Sequence, residues 1–484
     1  GRVGRTDDVG GRGAADVVLG GLAAEDHDQV GAGIAGRHAP ATVPCRLMRF
    51  RAREVAEATG GRLVGPDMEI DGVAFDSRAL LPGQLFVPIV AERDGHDFVG
   101  SAVGSGAVAY LTSRGADSAL AASAIEVDDT LRALMDLARV QRDRVAVPVV
   151  GITGSVGKTS TKDMVRAALG ASRRTWANEK SFNNEMGLPT TLLNAPDDTE
   201  VVVLEMGMRG FGEIAELCRV ARPTTGVVTR VAEAHSDRVG GIEGVARAKA
   251  ELVQALPSDG TAILNADDPR VLAMSSLTGG RVITFGESES ADVRVTRLVL
   301  DESVRPTFVA VTPWGEFEVR LGVSGRHMAL NAAAALAVVG SLGADVGAGA
   351  AALTDVGLTP MRMSVARTAS GGTVLDDSYN ANPTSMRAAL DALAAMPATR
   401  RVAILGRMAE ISDPEAEHLA ITRYAADLGV AVVAVGTDLY GVVPCADHEA
   451  AVAAVGSVAG GEAVLVKGSR VVGLERVSAA LALL

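Results

Sequence analysis

Residues 145–160 read VAVPVVGITGSVGKTS, an apolar run that leads directly into a glycine-rich turn. The apolar run over 145–150 predicts a buried strand, and a helix is predicted to follow the turn as far as Leu169. A glycine-rich turn between a strand and a helix can wrap an oxyanion and direct backbone N–H groups towards it. This stretch therefore predicts a phosphate-binding loop.

The glycines of this loop follow the spacing G-x-T-G-S-x-G-K-T, which is one residue wider than the common G-x-x-x-x-G-K-[ST] pattern. Lys158 is expected to bridge the β- and γ-phosphates, and the Thr159 hydroxyl is expected to bind Mg²⁺. A plain tight turn is the alternative, and the strand-to-helix context disfavours it. The residues expected to contact the nucleotide here are Gly154, Ser155, Val156, Gly157, Lys158, Thr159 and Ser160.

The sequence around the loop alternates between strand-like and helix-like segments. Apolar strands are predicted at 201–204, 226–229 and 262–264, with helical stretches between them. This alternation is typical of a parallel sheet that is covered by helices on both faces. Residues 292–323 alternate as short strands, which predicts an antiparallel edge or an insertion, and a helix is expected over 329–342.

The length of 484 residues favours three domains. The predicted fold class is α/β, with a central P-loop parallel sheet, a small α/β N-terminal domain and a Rossmann-like C-terminal domain. Residues 1–47 lack a sustained period and are predicted to be a disordered extension, with a small subdomain as the alternative. The three domains are then expected at 48–146, 147–360 and 361–484. Strands of the last domain are predicted at 373–375, 402–405, 431–435 and 463–466.

The composition excludes several classes of function. A net charge of −13 repels phosphate backbones, so nucleic acid is not expected as a partner. The three cysteines are far apart and form no disulfide framework, which fits a reducing cytoplasm. No apolar run reaches the ~18 residues of a membrane helix, so membrane insertion is not expected.

Polar residues follow two of the predicted central strands. Glu205 ends the strand at 201–204, and His235 lies just past the strand at 226–229. Parallel sheets bind ligands at the carboxyl ends of their strands, so the pair favours a metal site beside the phosphates. Taken alone, Glu205 could be an ordinary strand end and His235 a loop histidine. Lys249, in a predicted helix over 244–256, is by itself typical of a surface lysine.

Several separated motifs resemble those of the Mur ligases, from about Met48 to the C-terminus. DDSYNANP is the most diagnostic of them, because it separates the branch that adds D-alanyl-D-alanine to UDP-N-acetylmuramoyl-tripeptide from its sister ligases. Besides the phosphate loop, the motifs are NEKSFNNEMGLP (178–189), LEMG (204–207), AH (234–235), AKAEL (248–252), LNADDP (264–269), GRH (325–327), DDSYNANP (376–383) and VKGSR (466–470).

The resemblance implies an ATP- and Mg²⁺-dependent amide ligase of peptidoglycan synthesis, a cytoplasmic monomer that works through an acyl-phosphate. Lys158, Glu205, His235 and Lys249 would be catalytic, and the metal would be held by Thr159, Glu205, His235 and a carbamylated Lys249. The nucleotide would also meet Asn331 at adenine, Arg362 from the third domain, and Asp377 at ribose.

The partners implied by the resemblance are UDP-N-acetylmuramoyl-tripeptide and D-alanyl-D-alanine. The first domain, with its Asp-Ser-Arg run, would bind the UDP part of the first substrate. The residues expected on the substrate side are Ser77, Arg78, Asn183, Asn184, Tyr379, Asn380 and Asn382.

The sequence departs from the family pattern at three places. Met328 stands where relatives usually have Asn, and Ser236-Asp237 replaces a commoner Leu-Glu. Arg407 stands where an acidic residue is common, which leaves details of the acceptor site open. None of these changes removes an expected metal ligand or phosphate contact.

Three functions are alternatives to the amide ligase of peptidoglycan synthesis. A folylpolyglutamate- or cyanophycin-type ligase of the same superfamily is disfavoured by the DDSYNANP run. A nucleotide-dependent switch would need a guanine motif of N/T-K-x-D type, which has no suitable place in the sequence. A catalytically dead scaffold would be expected to have lost Lys158, Glu205 or His235.

Overall fold

A computed structural model describes residues 49–179, 181–233 and 236–484 of the chain. The extension predicted over 1–47 lies outside these residues, as does His235. Three main sheets follow one another along the chain, and the α/β fold class predicted from the sequence is confirmed. The exact division at 146/147 and 360/361 stays a prediction.

The first sheet has five strands in the order β2-β7-β6-β5-β4, beside a two-stranded antiparallel pair of β1 and β3. Helix α3 is capped by Asp129, whose carboxylate accepts the backbone N–H groups of Leu131 and Arg132. The strands are β1 (Arg49–Arg51), β2 (Arg62–Val64), β3 (Glu69–Asp71), β4 (Val73–Ala74), β5 (Leu85–Phe86), β6 (Ala109–Thr112) and β7 (Ser123–Glu126). The helices are α1 (Ala52–Thr59), α2 (Val99–Gly104) and α3 (Thr130–Arg144).

The central sheet has nine strands in the order β16-β15-β14-β13-β12-β11-β8-β10-β9. Strands β8 to β14 pair in parallel, and β15 and β16 add an antiparallel edge, as predicted. The strands are β8 (Val149–Thr153), β9 (Thr175–Ala177), β10 (Val201–Glu205), β11 (Thr225–Val228), β12 (Thr261–Asn265), β13 (Arg281–Gly286), β14 (Val293–Leu300), β15 (Pro306–Thr312) and β16 (Gly315–Arg320). The helices are α4 (Lys158–Gly170), α5 (Gly187–Leu193), α6 (Glu213–Ala221), α7 (Ser236–Val239), α8 (Ile242–Gln254), α9 (Pro269–Leu272), α10 (Met328–Ser341) and α11 (Val346–Ala352).

The third sheet has the order β17-β18-β21-β19-β20, and only β17 runs antiparallel to its neighbour among these strands. Its four parallel strands were predicted, whereas β17 was not. The strands are β17 (Ser364–Arg367), β18 (Thr373–Asp376), β19 (Arg400–Gly406), β20 (Ala431–Val435) and β21 (Glu462–Lys467). The helices are α12 (Pro383–Ala395), α13 (Pro414–Asp427), α14 (His448–Val455) and α15 (Glu475–Leu483), and 3₁₀ turns lie at Gly95–Phe98, Ala273–Leu277, Leu353–Asp355 and Arg470–Val472.

Strand β8 lies where the strand order of the central sheet reverses. The chain passes from β8 to β9 and β10 on one side, and then to β11 and β12 on the other. A crevice forms at the carboxyl ends of the strands at such a switch point, and open α/β sheets bind ligands there. The loop after β8 and the ends of β10 and β11 therefore meet in one place.

Helix α10 is the centre of the largest apolar core. Twelve of its 14 residues are buried, which is the pattern of a helix surrounded by protein on all sides. Its alanine-rich sequence lets α4 pack closely against it, so the helix that follows the phosphate loop has a fixed position. None of the helices within the described residues is both long and apolar enough to cross a lipid bilayer.

Leu336 in α10 is fully buried, and we expect Leu336→Ala to lower the free energy of unfolding by about 2–5 kcal/mol, because a cavity remains. Urea unfolding followed by tryptophan fluorescence measures this loss. The only two tryptophans, Trp176 and Trp314, lie in the central sheet region and report on it selectively. Leu277 is 42% exposed, so Leu277→Ala should lower the free energy of unfolding much less. If both variants lost the same free energy of unfolding, the placement of Leu336 in the core would be contradicted.

Candidate active site

Two glycines of the phosphate loop occupy positions that other residues would not tolerate. Gly154 has φ +151°, and a Cβ there would lie 1.9 Å from the Thr229 hydroxyl oxygen. Gly157 has φ +86°, and its Cβ would lie 2.7 Å from the side-chain oxygen of Asn331. The loop therefore packs tightly against the segment after β11 and against α10, and glycine permits both the conformation and the close approach.

The segment after β11 holds the loop by hydrogen bonds. The backbone N–H of Ser155 donates to the Arg230 carbonyl at 2.7 Å. The Ser155 hydroxyl donates to the Ala232 carbonyl at 2.8 Å and accepts the Ala232 N–H at 2.9 Å. Thr229 donates its hydroxyl to the Val156 carbonyl at 2.6 Å. The loop conformation is thus set by its neighbours in the sheet.

Lys158 begins α4 and folds back over the loop, donating from Nζ to the Gly154 carbonyl at 2.6 Å. The side chain is half-buried. Burial lowers the pKa of Lys158, nearby Arg362 lowers it further, and Glu205 acts in the opposite direction. The amides at the N-terminus of α4 and this cation together form a positive region suited to a phosphate group.

Glu205 ends β10 with its side chain beside the loop. The residue is 1% exposed, and its Oε2 accepts the Thr159 hydroxyl at 2.8 Å. The other oxygen, Oε1, accepts the Asn183 amide at 2.7 Å, while the Glu205 N–H donates to the Asn178 side chain at 2.9 Å. A hydroxyl and a carboxylate this close could share one hard divalent cation, since Mg²⁺ prefers oxygen ligands.

Lys249 is buried on α8, at 3% exposure, and lines the same cavity as Glu205 and Lys158. Burial lowers the pKa of Lys249 well below 10.5, and the neighbouring Lys158 lowers it further. A lowered pKa increases the unprotonated fraction of an amine at a given pH, and the unprotonated amine is the nucleophilic form. The helical pattern alone is typical of a surface lysine, whereas the family resemblance implies a role for Lys249 at the metal, and its burial disagrees with the first of these two expectations.

The metal ligands named from the sequence come together only in part. Thr159, Glu205 and Lys249 line one cavity, whereas His235 lies outside the described residues. Within 49–179, 181–233 and 236–484, no three His, Cys, Asp or Glu side chains cluster as a metal site would require. The oxygen donors of Thr159 and Glu205 nevertheless fit Mg²⁺, which often keeps several waters and takes few protein ligands.

Arg362 reaches this point from the segment that leads into the third sheet. Its Nη2 donates to the Thr159 hydroxyl oxygen at 2.9 Å, and its Cζ lies 4.1 Å from the centre of the Tyr379 ring. Its Nε is buried, and no group in the described part of the chain accepts a hydrogen bond from it. The guanidinium therefore presents a positive group to the phosphate loop.

Lys467, at the end of β21, fixes the DDSYNANP segment. This lysine is 1% exposed, pairs with the Asp377 carboxylate, and donates to the Asn380 carbonyl at 2.9 Å. Asp377, Tyr379, Asn380 and Lys467 all line the cavity. The third sheet thus contributes one wall of the site.

The resulting cavity has a volume of about 670 Å³ and lies between the three sheets. Phe75 reaches it from the first sheet and packs edge-on against Phe182, with ring centres 5.8 Å apart. Among the described residues, neither Ser77 nor Arg78 lines the cavity, and the Arg78 side chain pairs with Asp76. The predicted residues that line it are Gly154, Ser155, Val156, Gly157, Lys158, Thr159, Ser160, Asn183, Asn184, Glu205, Lys249, Asn331, Arg362, Asp377, Tyr379, Asn380 and Asn382.

Several residues of this site were missed from the sequence. Ser181 and Phe182 lie inside the NEKSFNNEMGLP run and could have been proposed from it, whereas nothing local distinguishes Phe75. The chain has only five lysines among 46 basic residues, and Lys158, Lys249 and Lys467 line the cavity. In a chain with so few lysines, the lysines themselves indicate the site.

The pKa of Lys249 predicts a pH-dependent stability. Because the folded-state pKa is below that of the unfolded chain, the unfolded state binds more protons between the two values, and stability rises with pH there. In CO₂-depleted buffer at pH 7, Lys249→Met should therefore raise the unfolding midpoint, and the gain should shrink as the pH approaches 10.5. Arg247→Met, at an exposed position of the same helix, is the control. If the unfolding midpoints of the Lys249 variant and the wild type differed by the same amount at every pH, the lowered pKa of Lys249 would be contradicted.

Comparison with known proteins identifies the family. The Mur ligase middle domain matches residues 152–339, and the Mur ligase glutamate ligase domain matches residues 361–470. The UDP-N-acetylmuramoyl-tripeptide–D-alanyl-D-alanine ligase of Mycobacterium tuberculosis is 42% identical over 427 residues, covering 81% of this chain and 84% of the relative.

Solved structures agree with this result. A crystal structure of MurF from Acinetobacter baumannii superposes with a TM-score of 0.82 at 28% identity, covering 90% of this chain and 99% of the other. MurF from Thermotoga maritima, in complex with ADP, gives a TM-score of 0.75 at 28% identity and covers 85% and 97%. The chain belongs to the Mur ligase family.

Proposed function

We propose that this chain is a UDP-N-acetylmuramoyl-tripeptide–D-alanyl-D-alanine ligase, which uses ATP to form the amide bond of the pentapeptide precursor of peptidoglycan. One observation carries the proposal. The Thr159 hydroxyl of the phosphate loop donates to the buried Glu205 carboxylate at 2.8 Å, and it accepts at 2.9 Å from Arg362, which lies in the segment that leads into the third sheet. The relatives of this name from Mycobacterium tuberculosis, Bacillus subtilis and Escherichia coli share 42%, 36% and 38% identity with the chain.

The nucleotide would bind with its triphosphate on the amides of residues 154–159 and its γ-phosphate near Lys158. The position of the loop at the N-terminus of α4 supports this, since the free backbone amides at a helix N-terminus bind anions. Asn331 and Asp377 line the cavity and are the proposed contacts of adenine and ribose. The ADP complex of the Thermotoga maritima structure supports the same choice of ligand.

Mg²⁺ would be held by Thr159 and Glu205, with His235 and a carbamylated Lys249 as further ligands. When bound, it would offset charge on the phosphates and on the carboxylate that approaches them. The low pKa of Lys249 supports carbamylation, because an unprotonated amine can attack CO₂ and lose a proton to give the carbamate. The donor atoms of Thr159 and Glu205, 2.8 Å apart, support the metal position.

The reaction would proceed in two transfers. A carboxylate oxygen of the tripeptide attacks the γ-phosphorus in line and displaces ADP, which leaves an acyl-phosphate. The amine of D-alanyl-D-alanine then attacks the acyl carbon, phosphate departs with the bonding electrons, and the amine loses a proton. Lys158 and Arg362 would offset the negative charge of the transferring group, and the protein would otherwise act by holding the reactants in position.

The substrate would lie along the cavity walls formed by the central region and by the third sheet. Asn183 and Asn184 on one side, and Tyr379, Asn380 and Asn382 on the other, are the proposed contacts, and all five line the cavity. Ser77 and Arg78 remain the proposed contacts of the UDP part, in a first domain over 48–146. We also propose a central ATP-binding domain over 147–360 and a ligase domain over 361–484. The protein would be a cytoplasmic monomer. The free thiols of Cys218 and Cys445 fit a reducing compartment.

A phosphate-release assay tests the function. With ATP, Mg²⁺ and UDP-N-acetylmuramoyl-tripeptide present, we expect phosphate release to depend on added D-alanyl-D-alanine, because the acyl-phosphate needs an amine to break down productively. Lys158→Ala should abolish the release, since a transition-state charge contact of this kind is worth about 10²-fold or more. Release that instead requires a folate and glutamate would favour the folylpolyglutamate-type alternative, and near-normal turnover by Lys158→Ala would contradict the site.

The glycine geometry gives a separate prediction about nucleotide binding. Gly154→Ala should weaken ATP binding, measured by calorimetry, by at least tenfold (~1.4 kcal/mol), because a Cβ at this site collides with Thr229. Gly170→Ala, at the end of the α4 helix that follows the loop, is the matched control, since its Cβ would meet nothing within 4 Å. Equal ATP affinity in the two variants would mean that the loop is not the triphosphate site.

A further inference from the structure

A buried ion pair lies on α4 one turn beyond Thr159. Lys162 is 2% exposed and Asp163 is 5% exposed, and Nζ of Lys162 lies 3.1 Å from Oδ1 of Asp163. A buried ion pair is weak evidence for stability, because removing two charges from water costs about as much as their attraction returns. Neither residue has a part in the proposed chemistry, so the groups that they contact indicate what the pair does.

Asp163 holds the segment that leads to Arg362. Its Oδ2 accepts both the backbone N–H of Thr359 at 2.8 Å and the Thr359 hydroxyl at 2.9 Å. Thr359 lies three residues before Arg362 in the sequence. The start of the segment is therefore anchored to the same helix that carries Thr159, which is the group that Arg362 contacts.

The backbone around Arg362 is strained and needs such an anchor. Met361 has φ +63° and Met363 has φ +52°, a left-handed conformation that residues other than glycine rarely adopt. A strained conformation of this kind persists only where the surroundings hold it. On the far side, the Met361 carbonyl accepts the Tyr379 N–H at 3.3 Å, and the Met363 N–H donates to Asp377 at 3.2 Å.

Lys162 connects the same pair to Glu205. Its Nζ donates to the Asn178 carbonyl at 2.8 Å, and the Asn178 side chain accepts the Glu205 N–H at 2.9 Å. Asn178 is 2% exposed. One ion pair thus supports the carboxylate on one side of Thr159 and the arginine on the other.

We propose that Asp163, paired with Lys162, is a positioning residue that acts through Thr359 to hold Arg362 against the phosphate loop in its strained turn. The inference rests on the proposed ligase function and deepens it. Asp163 and Thr359 do not touch the reacting atoms. They determine the position of the Arg362 guanidinium during phosphoryl transfer.

Thr359→Val removes the hydroxyl contact with little change of shape and tests this directly. We expect kcat to fall about tenfold, because a hydrogen bond to a charged acceptor is lost and the arginine is less well placed. KM for ATP should change less, and Thr359→Ser should restore most of kcat. If Thr359→Val does not fold, Thr359→Ala, which makes no added steric demand, replaces it.

A double-mutant cycle with Arg362→Ala separates positioning from a purely structural role. If Thr359 acts through Arg362, the tenfold effect of Thr359→Val should nearly vanish in the Arg362→Ala background. Thr368→Val, which removes the hydroxyl of a buried threonine that donates to the Val458 carbonyl at 2.7 Å, is the control and should leave kcat unchanged.

Equal losses in both backgrounds, or no loss in Thr359→Val, would overturn the positioning role and leave the ligase function intact. An inactive wild-type protein in the phosphate-release assay would overturn both. A lowered unfolding midpoint with unchanged kcat would mean that Asp163 and Thr359 only stabilise the fold.

Discussion

The site depends on the contact of one hydroxyl, that of Thr159, with a carboxylate and a guanidinium from two other parts of the chain. Glu205 arrives from a central strand and Arg362 from the segment entering the third sheet. The Thr159 hydroxyl donates to the carboxylate and accepts from the guanidinium, and hydrogen bonds to charged groups are stronger than those between neutral groups, so these contacts fix the three side chains relative to one another. The glycine loop, the reversal of strand order at β8 and the packing of α4 on α10 all serve to bring these three groups together.

Much of this arrangement was predictable from local sequence. The phosphate loop, Glu205 and the parallel strands follow from short patterns, because buried parallel strands are continuous apolar runs with ligand residues at their ends. The burial of Lys249, the strained turn at Met361 and Met363, and the edge strand β17 could not be predicted. Each depends on contacts between segments far apart in sequence, and β17 is too short and polar to show a period.

Lysine and arginine side chains have different roles in this protein. Three of the four lysines within the described residues, Lys158, Lys249 and Lys467, line the cavity, and Lys162 lines a smaller pocket; the cavity is also lined by three arginines and by His327. Lysine is a compact cation whose pKa shifts readily on burial, and arginine keeps its charge and pairs at the surface. The lowered pKa values of Lys158 and Lys249 are consistent with that division.

The most direct measurement is a crystal structure with a non-hydrolysable ATP analogue and Mg²⁺. The account predicts the triphosphate on the amides of residues 154–159, with the metal bonded to the Thr159 hydroxyl and facing Glu205, and the Arg362 guanidinium against the γ-phosphate. A triphosphate bound elsewhere, or a metal remote from both Thr159 and Glu205, would contradict it.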